Sequence, residues 1–327
     1  MPTPTPNVSV VLCTYNGAAY LEPQLRSIAE QTLLPAELIA SDDGSTDDTL
    51  EILERFRRDA NFPVRIFRNP ATLGSTANFD LAVSRASGKY FALTDQDDVW
   101  LPHKLASLVA VLEADAGLGG AFSDAWLLDS RTEADGPSEK ETLWSMHGFT
   151  PARQRLFAGR EGAIEQLLRA DVVTGATMLL RTDLRRLFSP VPRSWVHDGW
   201  FSWMLAVHSR IKPVPEPLMR YRLHNQQQLG VGGDNSVAGR IDAVRSTERV
   251  RYSRVANQFE DLLARLRADS VDRVLEQEVA AKINLLRRRA ALPHNVVVRA
   301  AAILAAAPQY TRYARGWRSM RKDLFLD

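Results

Sequence analysis

The sequence predicts an α/β protein: a mainly parallel sheet with helices on both faces, followed by a C-terminal helical extension. Two observations carry this expectation. Over the first 125 residues, short apolar runs alternate with segments of helical spacing, the pattern of strands joined by crossover helices. After Ser236 the chain turns helical and Arg-rich, broken at Pro293 and Pro308. A length of 327 residues, 45% hydrophobic and 24% charged, suits an ordinary globular protein with one large core or two smaller ones.

The elements follow in order. Val8 to Cys13 is apolar and β-branched, a first strand, and Ala18 to Gln31 sets Leu21, Leu25 and Ile28 on one helical face. Glu37 to Ser41 is the second strand. Thr46-Asp47-Asp48 starts the next helix, with Leu50, Ile52, Leu53 and Phe56 behind it. Val64 to Phe67, Ser75 to Ala86 and Tyr90 to Thr94 read as strand, helix and strand, and Leu101-Pro102 opens another helical segment. From Ser130 to Arg160 the pattern gives way to a polar loop or lid. It resumes with a helix at Ile164 to Leu168, a strand at Thr177 to Arg181, an aromatic-rich helix at Asp198 to Val207 and a strand at Pro217 to Leu223. Gly230-Val231-Gly232-Gly233 reads as a hinge.

Ligands of such sheets bind beyond the carboxyl ends of the strands. Three polar clusters fall there: Thr14-Tyr15-Asn16-Gly17, Asp42-Asp43-Gly44-Ser45 and Asp95-Gln96-Asp97-Asp98. Three carboxylates in four residues repel one another, and a divalent cation is the natural compensation. An acidic turn with a helix cap is the plainer alternative.

Composition narrows the class further. The single cysteine, Cys13, excludes an internal disulfide and a cysteine-based zinc site, and its strand setting makes it a buried thiol. Neither a basic-then-apolar leader nor eighteen consecutive apolar residues is present, so a cytoplasmic protein is expected. Ala281 to Asp327 holds ten basic residues against two acidic, which leaves 31 against 37 in the body, a tail of +8 on a body of −6. Such a tail, with Arg287-Arg288-Arg289 and apolar Val296 to Ala307, suits peripheral docking on an anionic membrane face, or a helical cap with a solvated basic face. No nucleic-acid recognition motif accompanies it.

Together, Val8-Ser9-Val10-Val11-Leu12-Cys13-Thr14-Tyr15-Asn16-Gly17, Ser41-Asp42-Asp43-Gly44-Ser45-Thr46-Asp47, Leu93-Thr94-Asp95-Gln96-Asp97-Asp98-Val99-Trp100 and His197-Asp198-Gly199-Trp200 resemble the family-2 glycosyltransferases of GT-A fold. The resemblance covers roughly residues 7 to 228. Tyr310-Thr311-Arg312-Tyr313 and Lys322-Asp323-Leu324-Phe325 look like the tail of bacterial members described as rhamnosyltransferase-like. It implies a GT-A domain over 1–235, with a nucleotide-binding half (1–125) and an acceptor-binding half (126–235), and a basic helical extension over 236–327.

The resemblance also implies roles. Thr14, Tyr15 and Asn16 would flank the nucleotide, with Tyr15 alternatively a packing residue. Asp43, rather than Asp42, would read the base, although either could bond the turn instead. Asn78 would contact the nucleotide or sit on a helix surface. Asp95 would face the ribose or a metal-bound water and Asp97 hold Mg²⁺ or Mn²⁺. Asp98 would support the metal or cap the helix near Pro102. His224 would approach the metal or be structural. Asp198, preceded by His197 where relatives carry an acid, would be the base that accepts the acceptor proton, or an N-cap. Trp200 and Trp203 would stack the acceptor sugar or pack in the core.

Neither a Gln-x-x-Arg-Trp motif nor flanking spans is present, which implies non-processive transfer. The implied activity is inverting, metal-dependent transfer of a sugar from a nucleotide diphosphate to a hydroxyl of a lipid-linked or surface glycan. dTDP-rhamnose is favoured as donor and a UDP-hexose comes next. A sugar nucleotidyltransferase is the rival, but the first turn lacks its basic Gly-rich loop. A catalytically silent binding module is the second alternative.

Overall fold

The computed structural model describes residues 7–129, 140–224 and 248–325. Two compact units make up the chain: Met1–Ala163 with Val172–His224, and Ile164–Asp171 with Asn225–Asp327. The expected Gly230–Gly233 hinge and the expected boundary at 235 lie outside the described residues.

In the first unit the alternation builds β1 (Val8–Thr14), α1 (Ala18–Ala29), β2 (Glu37–Asp42), α2 (Thr49–Asp59), β3 (Val64–Arg68), α3 (Ser75–Ser84) and β4 (Tyr90–Thr94). Every residue of β1, β2 and β4 is buried, as strands covered on both faces require. The four run parallel, with Leu12 beside Thr94 and Thr14 beside Asp42, so their carboxyl ends finish together. Helix α2 starts at Thr49, three residues later than expected, because the Asp47 carboxylate accepts both the Thr49 amide and its hydroxyl.

The second half of the sheet departs from the parallel expectation. After β5 (Val99–Trp100) and α4 (Lys104–Ala114) come β6 (Gly120–Asp129), β7 (Met178–Arg181) and β8 (Ile211–Leu223). The eight strands lie in one mixed sheet, ordered β3-β2-β1-β4-β7-β6-β8-β5. β7 is antiparallel to β4 and β6, whereas β6 and β8 are parallel. Sequence reading missed β6, which runs across the expected boundary at 125/126. It also started β8 six residues late, at Pro217, leaving Pro213 and Pro215 outside the strand. They fit because β5 pairs only with Met219 and Arg220, leaving the first part of β8 an edge with a bulged register to β6.

The expected loop or lid is ordered over its described part. Residues 130–139 lie outside the description, and then α5 (Leu143–His147), α6 (Pro151–Gln154) and a 3₁₀ turn (Arg155–Ala158) lead into α7 (Arg160–Arg169). Phe122 of β6 meets Trp144 and Phe157 with ring centroids at 5.5 Å each, and Trp144 meets Phe149 at 4.9 Å. An aromatic cluster of this kind holds the segment against the sheet. α8 (Arg185–Phe188) and α9 (His197–His208) complete the unit.

The second unit is helical. α10 (Glu248–Ala268) packs on α11 (Arg273–Ala290) through Tyr252, Ala256, Phe259, Leu263 and Leu266 against Val279, Ile283 and Leu286, all at helical spacing. Three short helices follow: α12 (Val296–Ala305), α13 (Ala307–Tyr313) and α14 (Trp317–Leu324). The expected breaks fall at Pro293, between α11 and α12, and at Pro308, in the first turn of α13. No helix among the described residues is long and apolar enough to cross a membrane.

Candidate active site

The turns after β1 and β2 are locked to each other. Thr14 is buried, and its hydroxyl donates to Asp42 Oδ1 at 3.0 Å. Asp42 also accepts the Ser45 hydroxyl and the amides of Gly44 and Ser45, which leaves its carboxylate fully engaged. Asn16, exposed at φ +48°, accepts the Thr46 amide on its side-chain oxygen at 2.9 Å. The Tyr15 backbone is clamped by Gln96, whose Oε1 accepts the Tyr15 N–H at 2.8 Å and whose Nε2 donates to the Tyr15 carbonyl. A Cβ on Gly17 would fall 2.1 Å from Gln96 Oε1, so only glycine admits the clamp. The Thr14 hydroxyl thus ties β1 to β2, so of the backbone or side-chain bonds expected of Thr14 toward a nucleotide, only the backbone is left free of that tie.

Asp43 is buried and accepts three bonds: Asn69 Nδ2 at 2.9 Å and the Leu73 amide on Oδ1, and the Gly74 amide on Oδ2. Oδ2 thus keeps acceptor capacity that Asp42 lacks. Beside it opens a cavity of about 470 Å³ lined by Gly44, Arg68, Asn69, Pro70, Ala71 and Thr72. Asn78 is not a helix-surface residue. It is buried, donating to the Ser41 carbonyl and accepting from Asn69, the residue that braces Asp43. Asn69 gave no sequence signal, because its part comes from partners 9 and 26 residues away.

At the end of β4 the three acids differ. Asp97 Oδ2 lies 2.8 Å from His224 Nε2, and the Asp97 carbonyl accepts Arg222 Nε at 2.7 Å. The His224 ring packs on Tyr20 at 4.5 Å. Asp98 caps no helix. It is fully buried, Oδ1 accepts the Arg222 amide at 3.1 Å, and Oδ2 has no hydrogen-bond partner among the described residues. Burial, then the charges of Asp97 and Asp95, push its carboxyl well above the usual carboxylate range. Burial, then the charges of Asp97 and Asp198, push the Asp95 carboxyl up to about 7. The four acids therefore share one electrostatic site.

Asp198 lies in the first turn of α9, but the N-cap is Val196. Its Oδ1 accepts the Gly199 amide at 2.7 Å and its Oδ2 the Gly175 amide at 3.2 Å. One residue on, the Ala176 carbonyl accepts Lys104 Nζ at 2.5 Å. Lys104 is fully buried over the Trp100 ring, and burial pushes its ammonium down to about 7 against the pull of Asp98 and Asp95. Sequence reading missed Lys104, since a lysine at a helix start reads as solvated. The Trp200 and Trp203 platform is also corrected. They are 1% and 2% exposed, and Trp200 Nε1 donates to the Phe188 carbonyl, so both are core.

An implied Mg²⁺ or Mn²⁺ can be tested against these residues. Among the described residues no three of His, Cys, Asp and Glu enclose an ion by themselves. Asp97 and His224 supply two adjoining donors and Asp98 an orphaned buried oxygen, at a site whose carboxylates repel. That suits an ion completed by diphosphate oxygens and water.

Gly175 packs directly against Asp198 and its neighbour His197. A Cβ there would lie 2.9 Å from His197 Nε2 and 3.2 Å from the Asp198 Cβ. Gly175→Ala is expected to displace Asp198 and lower kcat by about 10- to 100-fold, since displacements near 1 Å cost that much. Donor KM and melting temperature should stay near wild type. An unchanged kcat would mean that the Gly175 contact does not position Asp198.

Residues 9–187 match the family model for glycosyl transferase family 2. An uncharacterized glycosyltransferase of Nostoc sp. is 27% identical over 66% of this chain and 65% of its own length. An abequosyltransferase of Salmonella typhimurium is 37% identical over 34% of each. The chain thus spans less than two thirds of the length of these two curated relatives. A Pyrobaculum calidifontis mannosyltransferase in complex with GDP-Man and Mn²⁺ shares the fold at TM-score 0.58 and 18% identity, covering 99% of this chain and 86% of that one. S. aureus TarS 1-349 in complex with UDP-GlcNAc does so at 0.57 and 17%, covering 94% and 81%.

Proposed function

The chain belongs to glycosyl transferase family 2, and from that premise we propose that it is an inverting, metal-dependent, non-processive glycosyltransferase. The observation that carries this reading is the gathering of Asp198 with Asp95 and Asp97: burial first, then the charges of Asp97 and Asp198, raises the Asp95 carboxyl to about 7. Acids at the mouth of the parallel half of the sheet, beside turns braced for a nucleotide, suit a diphosphate leaving group and a hydroxyl nucleophile.

In this reading Asp43 accepts a pyrimidine ring N–H beside the Gly44–Thr72 cavity, and Tyr15, Asn16 and Asp95 flank the nucleotide. Asp97 and His224 hold Mg²⁺ or Mn²⁺, which when bound stabilises charge on the departing diphosphate. Asp198 takes the acceptor hydroxyl proton, the oxygen attacks the anomeric carbon, and the bond to the diphosphate breaks on the opposite face. Direct displacement inverts the centre. dTDP-rhamnose is the first donor proposed and a UDP-hexose the second. The bound GDP-Man and UDP-GlcNAc of the structural neighbours support a nucleotide sugar as the class. The acceptor is a lipid-linked or surface glycan, reached at the cytoplasmic face of a membrane.

A donor panel tests the reading. Incubation with dTDP-, UDP- and GDP-sugars plus Mn²⁺ is expected to release nucleoside diphosphate from a pyrimidine donor, to stop with EDTA and to resume with excess Mn²⁺. Activity that ignores EDTA would remove the metal from the mechanism. Absence of binding to every donor would remove the transferase reading.

A further inference from the structure

Helix α12 (Val296–Ala305) is inverted relative to a surface helix. Its only charged residue, Arg299, is buried, and the guanidinium donates to the carbonyls of Pro293, His294 and Leu324. Ile303 shares that inward face. The outward face carries Val297, Val298, Ala301, Leu304 and Ala305, with Val297 78% and Leu304 67% exposed. A ten-residue helix with a wholly apolar solvent face is costly in water and marks a docking surface.

The neighbouring helix supplies the second observation. α14 packs against α12 and exposes Trp317 at 65%, and Phe325 just beyond it is 75% exposed. Arg318 and Arg321 both lie 5.9 Å from the Trp317 ring. From Pro293 to Phe325 the sole acid is Asp323, against six basic residues. Asp323 is buried, engaged by Arg289, Tyr252 and Tyr310. Arg312 is paired with Glu278 and Lys322 with Glu248, while Arg315, Arg318 and Arg321 are exposed without an acidic partner among the described residues.

We propose that α12, Trp317 and Phe325 insert into the interface of an anionic lipid bilayer, with Arg315, Arg318 and Arg321 on its headgroups. At ~1.5 Å per residue α12 is only half the hydrocarbon thickness, so it lies in the interface rather than across it. Tryptophan flanked by cations is the usual occupant of that depth. A two-fold contact with a second copy would instead oppose the same unpaired arginines, which repel. This deepens the membrane contact of the reading above and rests on that reading only for the acceptor's location. It also corrects the expected anchor: Arg289 is buried on Asp323 and Arg287 is paired with Glu260, so of the Arg287-Arg288-Arg289 run only Arg288 is left to face lipid.

The full chain should sediment with vesicles of phosphatidylcholine mixed with phosphatidylglycerol, and much less with phosphatidylcholine alone. Val297→Asp with Leu304→Asp should weaken partitioning about tenfold or more. Arg318→Gln and Arg321→Gln should each weaken it about fivefold at low salt, an effect that fades at high salt. Donor turnover without a lipid acceptor should be unchanged in all of these variants, which separates a failed docking surface from a failed transferase. Equal retention of wild type and the double aspartate variant would overturn the proposal. So would a wild-type dimer that the same variant converts to monomer without any vesicle binding.

Discussion

Asp198→Asn is expected to lower kcat by about 10²- to 10⁴-fold, the range for loss of a general base. The amide keeps the size of the carboxylate, and its one oxygen can still accept the shorter of the two bonds that hold Asp198, from the Gly199 N–H at 2.7 Å, while its NH2 loses the longer one from Gly175. It cannot take the acceptor's proton. Donor affinity should therefore stay near wild type and the melting temperature fall by only a few degrees while transfer collapses, and kcat should carry the loss rather than KM. Diphosphate release followed on a glycan acceptor checks this. Transfer at near the wild-type rate would remove Asp198 from the base role and reduce it to an anchor of the first turn of α9.

Asp97→Asn is expected to lower kcat/KM by about 10³-fold, because a metal-held leaving group is worth several kcal/mol. The substitution is chosen to keep the fold. An asparagine oxygen can still accept from His224, and the Asp97 carbonyl still receives Arg222. If Asp97 only secured His224, activity and Mn²⁺ dependence would both survive. If it holds the metal, Mn²⁺ binding in the presence of a nucleoside diphosphate should weaken by calorimetry, and excess Mn²⁺ should recover part of the rate. Activity within threefold of wild type at low Mn²⁺ would exclude the ligand role.

Much of the scaffold was legible because its signals are local. β1, β2 and β4 announce themselves as apolar runs, and the polar residues that end them mark the mouth of the sheet. β6 was not legible, since Gly119-Gly120 and Asp124 interrupt its pattern, and the Asp124 carboxylate serves the Trp144 amide from inside the core. The first part of β8, with Pro213 and Pro215, was missed for a related reason. Whether a proline breaks a strand depends on whether a neighbour needs its missing N–H, and that neighbour lies elsewhere in the chain.

By itself the sequence determined the fold class, the helical extension and the acidic strand end at Asp95-Gln96-Asp97-Asp98. Tertiary structure decided what each polar group is left to do. The side chains of Thr14 and Asn78, candidates for the ligand, are engaged with Asp42, Ser41 and Asn69. Trp200 and Trp203 went into the core, and Arg289 was drawn inside by Asp323 while Arg318 and Arg321 stayed out. The physical reason is that spacing along a chain sets which groups can share a face. Burial and the saturation of each lone pair are fixed only by partners that folding brings from far away.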